Sequence, residues 1–308
     1  MNSSSSLKPD QSITSEPSRD DIFQAELSDS TRHRPRSPLA RAVLLLLFAV
    51  GVAVPIVFYW LSSEQAKWRI AAAQAKWLDG DLPGAISVLD TAALEFPETS
   101  AIYEQRIQFY LEAKEFEQAL ADAQHLVELD SNSTTALGLK SQALHHLGKH
   151  DEAIKVCEEM RRLAEEEWIG NAPTALNSLA YAQAIAGTQL NEALENIDEA
   201  LRLAGDNPAM LDTRGFVKYR LGDTEAARED IERAIEVWEK VVAYQETQAV
   251  SGVRSYQSEA NRASYHQALA VMLYHRSLVY DQLGLSDKAK VDRERVRVLG
   301  FEPNEQLF

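Results

Sequence analysis

A single cysteine, Cys157, occurs in 308 residues, which excludes an internal disulfide and any paired-cysteine motif. H-E-x-x-H, G-x-S-x-G and a glycine-rich phosphate loop are also missing, and the glycine-containing fragment at 283–288 lacks the strand that a phosphate loop requires. Neither catalysis nor a cofactor is expected. Basic residues are scarce: 31 Lys and Arg face 47 Asp and Glu, a net charge of -16 that repels phosphate backbones and argues against nucleic-acid binding. The shortage is local, because residues 1–63 hold six charges of each sign whereas 64–308 hold 41 acids and 25 bases.

Residues 1–38 are rich in Ser, Pro and scattered charge and have almost no apolar periodicity, so a disordered tail is expected there. Residues 42–63, AVLLLLFAVGVAVPIVFYWLSS, then run without a charge for long enough to cross a hydrocarbon layer of about 30 Å. Residues 39–63 read as a transmembrane helix, with Pro55 tolerated and Tyr59 and Trp60 at the far interface. The run is too long, and its preceding tail too extended, for a cleaved signal peptide, so an uncleaved signal-anchor is expected. Arg32, Arg34, Arg36 and Arg41 precede the span while Lys67 and Arg69 follow it, which places the N-terminus in the cytoplasm and residues 64–308 on the extracytoplasmic side.

What residues 64–308 do contain is a ruler. Ala85, Ala119 and Ala153 stand 34 residues apart, and Ala193 and Ala227 repeat that spacing; Ala289 closes a last unit. Each follows a turn and an apolar helical stretch such as IYEQRIQFYLEA or MLDTRGFVKYRL. At these residues the sequence resembles the tetratricopeptide repeat (TPR) family, over 66–303. Gly80, Gly148, Gly222 and Gly284 match its turn glycine, Gly215 the small residue of its first helix, and Pro97, Pro208 and Pro303 its closing proline. Lys114, Thr188 and Ser131 depart from the pattern. The resemblance implies an all-α, right-handed superhelical solenoid of about six helix pairs in 64–308, with the alanines at the helix crossings.

Two gaps break the ruler. Forty residues separate Ala153 from Ala193, with the linker EEEWIGNA and Trp168 between them; sixty-two separate Ala227 from Ala289. In the second gap Ile231, Ile235, Trp238 and Val242 keep helical spacing, which predicts an extended helical hairpin near 228–283 standing out from the solenoid, either as a cap or as a surface for a partner or a second copy of the chain.

The stretch HHLGKHDEAIKVC, 145–157, looks chemical. Its register places Gly148 and Lys149 in a turn, so His146 and His150 do not share a helix and no metal pair forms; the histidines are expected to face solvent and Cys157 to be a buried, inert thiol. An accessory metal-binding or enzyme-associated subunit using His145, His146 and His150 is the alternative reading. The TPR resemblance implies an inner groove lined by first helices, in which other proteins bind as peptides or helices. Modelling on the family gives Gln108, Leu111, Gln142, His145, Asn177, Tyr181, Phe216, Tyr219 and Arg220 as groove residues. Glu104 and Gly138 stand where a clamp for a C-terminal carboxylate needs basic or amide side chains, and the acidic surroundings favour a neutral or basic ligand. The expected function is a membrane-anchored scaffold or adaptor of the bacterial inner membrane, serving envelope protein translocation, secretion or complex assembly.

Overall fold

Turn chemistry cuts the chain into helices. Asp81 accepts a hydrogen bond from the Gly84 amide at the start of one helix, Ser133 caps Ala136, and Asn207 caps Ala209 and Met210 just ahead of Pro208. Gly148 takes φ +70 between two helices, a conformation that costs a side chain little only when there is none. Lys114 adopts φ 60 despite its side chain, so the missing turn glycine is replaced by strain and not by a different turn. In the fourth unit Gly187, one residue before the expected position, and Gln189 take the positive angles instead of Thr188.

The computed structural model describes residues 38–166, 172–248 and 256–304, without the side chains of 38–41, 43–45, 49, 55–63 and 245–248. Among the described residues there are twelve helices and no strand. They are α1 (Pro38–Leu78), α2 (Leu82–Glu95), α3 (Ser100–Glu112), α4 (Phe116–Leu129), α5 (Thr134–His146) and α6 (His150–Glu166). They continue as α7 (Ala172–Ala186), α8 (Leu190–Ala204), α9 (Pro208–Leu221), α10 (Thr224–Gln248), α11 (Tyr256–Gln282) and α12 (Ser286–Val298). The expected tail at 1–38 lies, but for Pro38, outside the described residues, as does Trp168.

Two units divide the chain, 1–60 and 61–308. In the first, Leu46, Leu47, Phe48, Val50, Val52 and Val54 are exposed. Among the described residues no helix is long and apolar enough to cross a membrane; much of the expected span, 43–45, 49 and 55–63, falls outside the described side chains.

The second unit is an all-helical solenoid. Its core is a string of clusters, each shared by neighbouring helix pairs, which is how stacked repeats bury apolar surface that no single pair could bury. Ala85, Ala119, Ala153, Ala193, Ala227 and Ala289 are fully buried at 0% exposure. A Cβ on Gly215 would stand 2.4 Å from Ile231 Cγ1 and 3.0 Å from the Ala227 carbonyl, so α9 and α10 touch backbone to side chain there.

The long hairpin does not stand off. α10 and α11 carry 25 and 27 residues, and the start of α11 returns to the first repeats. The Tyr256 ring packs edge-on against Trp77 at 5.2 Å and Phe109 at 6.2 Å, and its hydroxyl lies 2.5 Å from Gln105 Nε2. Farther along, the buried His275 stacks on Phe216 at 4.2 Å and its Nδ1 lies 2.8 Å from Asp212 Oδ2. Trp77, Gln105, Phe109, Asp212 and Phe216 all belong to first helices of pairs, so α11 crosses the face those helices form. The expectation of a projecting hairpin fails because α11 carries buried residues from Leu269 to Tyr280 and its first residue, Tyr256, packs on Trp77 and Phe109 of the first repeats.

Candidate functional site

Beside α11 the first-helix face stays open as a cleft of about 510 Å³. α5 ends in the wall that carries His145 and His146, the Gly148 turn and the first residue of α6, His150, continue it, and Phe116 at the start of α4 stacks flat on His146 at 4.6 Å. The opposite wall is Ile185 of α7 with Phe216, Tyr219 and Arg220 of α9. Tyr274 and Leu278 of α11 complete it. The site exists because three first helices, α5, α7 and α9, end at this level and the long helix passes them.

Of the residues expected in the groove, the structure brings His145, Phe216, Tyr219 and Arg220 to this cleft. Phe216 is 2% exposed and is core as much as lining. Tyr181 packs behind it at 6.2 Å from both Phe216 and His275, where burial raises its phenol well above the usual range. Leu111 packs on the first core cluster instead, and Gln108 and Gln142 are exposed away from the cleft-lining set. Asn177 is half-buried, with its Oδ1 unpartnered, and does not line the cleft.

Phe116, His146, His150, Ile185, Tyr274 and Leu278 were not expected here. The histidines do not face solvent: all three are half-buried, and burial, then the neighbouring His150 and His146, lower His145 to about 4. Burial lowers His146 as well. The buried Nδ1 atoms of His145 and His150 have no hydrogen-bond partner, and the rings lie 5.8 Å apart. α5 and α6 break between them as the turn requires. Among the described residues no group of three or more His, Cys, Asp or Glu is placed to hold a metal. Cys157 is buried, lies 3.1 Å from Ser141 Oγ, and is raised to about 11 by burial, so the thiolate that nucleophilic chemistry needs is not formed near neutrality.

Charge in the cleft is unlike charge elsewhere. None of its lining residues is Asp or Glu, and three of the chain's seven histidines are in it. Arg220 donates only a long bond, 3.4 Å, to the Ile185 carbonyl. Every other arginine with a described side chain pairs with a carboxylate.

Residues 110–167 match the tetratricopeptide repeat family. That stretch supplies Phe116, His145, His146 and His150, so one wall of the cleft is built by the matched TPR segment. Among solved structures, PilW, a widely conserved type IV pilus biogenesis factor, aligns with 76% of this chain and 92% of its own at 13% identity and a TM-score of 0.51. Pseudomonas aeruginosa pilF aligns over 77% and 93% at 14% identity and 0.48, and MamA from Desulfovibrio magneticus RS-1 over 57% and 96% at 19% and 0.46. The likeness to PilW is one of fold: a TPR-like helical solenoid. No curated protein matches the chain.

Proposed function

We propose that the protein is a TPR scaffold, fixed to the bacterial inner membrane by residues 42–63, that holds a partner protein by a segment seated on its first-helix face. The observation that carries this reading is the open aromatic cleft beside α11, whose Arg220 is without a carboxylate in a repeat solenoid where every other arginine with a described side chain has one. Such an arrangement suits recognition, since aromatic rings and an arginine are the side chains that contribute most at interfaces. Binding, not chemistry, is the role, because burial holds the one thiol protonated and lowers the basicity of His145 and His146. Anchoring is supported by the charge-free run, by the exposed Leu46, Leu47, Phe48, Val50, Val52 and Val54, and by the four arginines that precede it. The same asymmetry favours a cytoplasmic N-terminus with the solenoid outside. Assembly of an envelope complex, translocation or secretion is the kind of process such a tether serves; a 13% identity to a pilus factor carries no pathway across.

A photo-crosslinking residue at His150 or Tyr219 in the full chain, expressed in a bacterial host, tests the scaffold role. Discrete crosslinks to one or a few proteins are expected. Absence of any crosslinked partner from both positions would remove the proposal. A reporter fused after Phe308 tests orientation, and activity confined to the cytoplasm would reverse it.

A further inference from the structure

We infer that the cleft between α5 and α9 binds an internal acidic segment of the partner, an aspartate or glutamate next to an apolar residue, with the carboxylate on Arg220 and the apolar side chain against Phe216 and Tyr219. The inference rests on the scaffold reading and specifies its ligand. It reverses the expectation of a neutral or basic ligand, because the whole-chain charge of -16 is not the charge of this surface.

Three observations converge. Arg220 lacks the carboxylate that every other arginine with a described side chain possesses, in a chain with an excess of acids from which to draw one. The cleft has no acidic lining residue to repel an anion. Phe116, Phe216, Tyr219 and Tyr274 line the same cleft and set apolar surface beside that arginine. Guanidinium recognises carboxylate through paired charge-assisted donors, and beside aromatic walls that exclude water the contact is stronger than on an open surface. A side-chain carboxylate is favoured over a chain terminus because a single arginine faces the cleft and the nearest expected amide, Asn177, is not in it. The other large cleft, about 690 Å³ beside Trp68 and Phe96, offers no such charge: its Arg69 already binds Glu95 at 2.8 Å.

The test uses the full chain in detergent and fluorescent hexapeptides, acetylated and amidated, with leucine and phenylalanine beside one variable residue: aspartate, asparagine or lysine. A fourth peptide ends in a free carboxylate and carries no acidic side chain. Fluorescence anisotropy should show the aspartate peptide binding about tenfold or more tighter than the asparagine one. Arg220→Gln should erase that preference with the helical circular dichroism and melting midpoint unchanged, and Arg220→Lys should keep part of it. Equal affinity for aspartate and asparagine, no binding of the aspartate peptide, a preference that survives Arg220→Gln, or tighter binding of the free-terminus peptide would each overturn the assignment. Crosslinked partners that remain after Arg220→Gln would leave the scaffold standing while the acidic ligand falls; loss of crosslinking in the unmodified chain would remove the scaffold itself.

Discussion

Single residues set how closely the repeats approach. Gly215 leaves room for Ile231, and a Cβ there would overlap it at 2.4 Å, so Gly215→Val should force the two helices apart and destabilise the fold by about 1–3 kcal/mol, read as a lower urea midpoint at unchanged slope. His145 is the residue through which the cleft senses pH. It shares the cleft lining with His146 on its own helix, His150 from α6, Tyr219 and Arg220 from α9 and Tyr274 from α11, and no Asp or Glu lines the cleft to hold its proton. With its folded value lowered to about 4, the unfolded chain binds the extra proton over the interval from the ordinary 6.5 downward, so stability is lost as pH falls from 6.5 towards 4. Melting midpoints across that interval should decline in the native chain and decline less in His145→Gln. An unchanged slope in the variant would show that other groups carry the effect.

At the scale of elements, ion pairs tie three of the first helices, α3, α9 and α11, to their neighbours by a fixed rule. Arg106 binds Asp122, Arg214 binds Asp230 and Arg276 binds Asp292, each sixteen residues apart, and Arg106 and Arg214 also reach back sixteen residues to Asp90 and Asp198 of the preceding pair. Each arginine with two partners thus bridges three helices. Burial drives the Asp230 carboxyl up, but hydrogen bonds from Arg214 and Lys218 outweigh it and hold the group below its usual range. Asp122, with Arg106 as its donor, stays above the usual range because burial dominates. A depressed folded value means stability that is present above about pH 4 and lost as pH falls through the folded value. Asp230→Asn should therefore cost about 2 kcal/mol at pH 7, less than a fully buried pair because both cations still reach water, and the deficit should shrink towards pH 3. Denaturant unfolding of both chains at the two pH values checks the sign. The alanine ruler made the helix pairs legible because small residues recur at each crossing. The arginine–aspartate spacing was equally present in the sequence, at the same place on the ruler, yet it was hidden: it occurs in only three pairs and links positions no helical periodicity connects.

Over the whole molecule, the decisive contact is also the one least legible in the sequence. The apolar spacing of α10 and α11 shows that both are helices and nothing more; where a long helix goes after a hairpin turn depends on which surface it can cover. At about 1.5 Å per residue its 27 residues span roughly 40 Å, enough to run from the last pair back to the first. For the same reason the cleft was half legible: the α9 wall followed from the repeat register, but Tyr274 and Leu278 came from a helix expected to point away. The contact at Tyr256 therefore closes the solenoid on itself, joining residues 151 apart in sequence, and loop closure of that length is entropically costly until the aromatic cluster forms. Tyr256→Ala removes the edge contacts to Trp77 and Phe109 and leaves the amide of the mostly buried Gln105 without its hydroxyl partner. The distal anchor, His275 on Asp212 and Phe216, is untouched, so opening should be confined to the first turns of α11 and to α3. Hydrogen exchange should quicken at 256–265 and 105–110 and stay slow at 270–280, with partner crosslinking at Tyr219 preserved. If exchange rises uniformly along α11, the helix is held by Tyr256 as a unit and the closure is a single cooperative event.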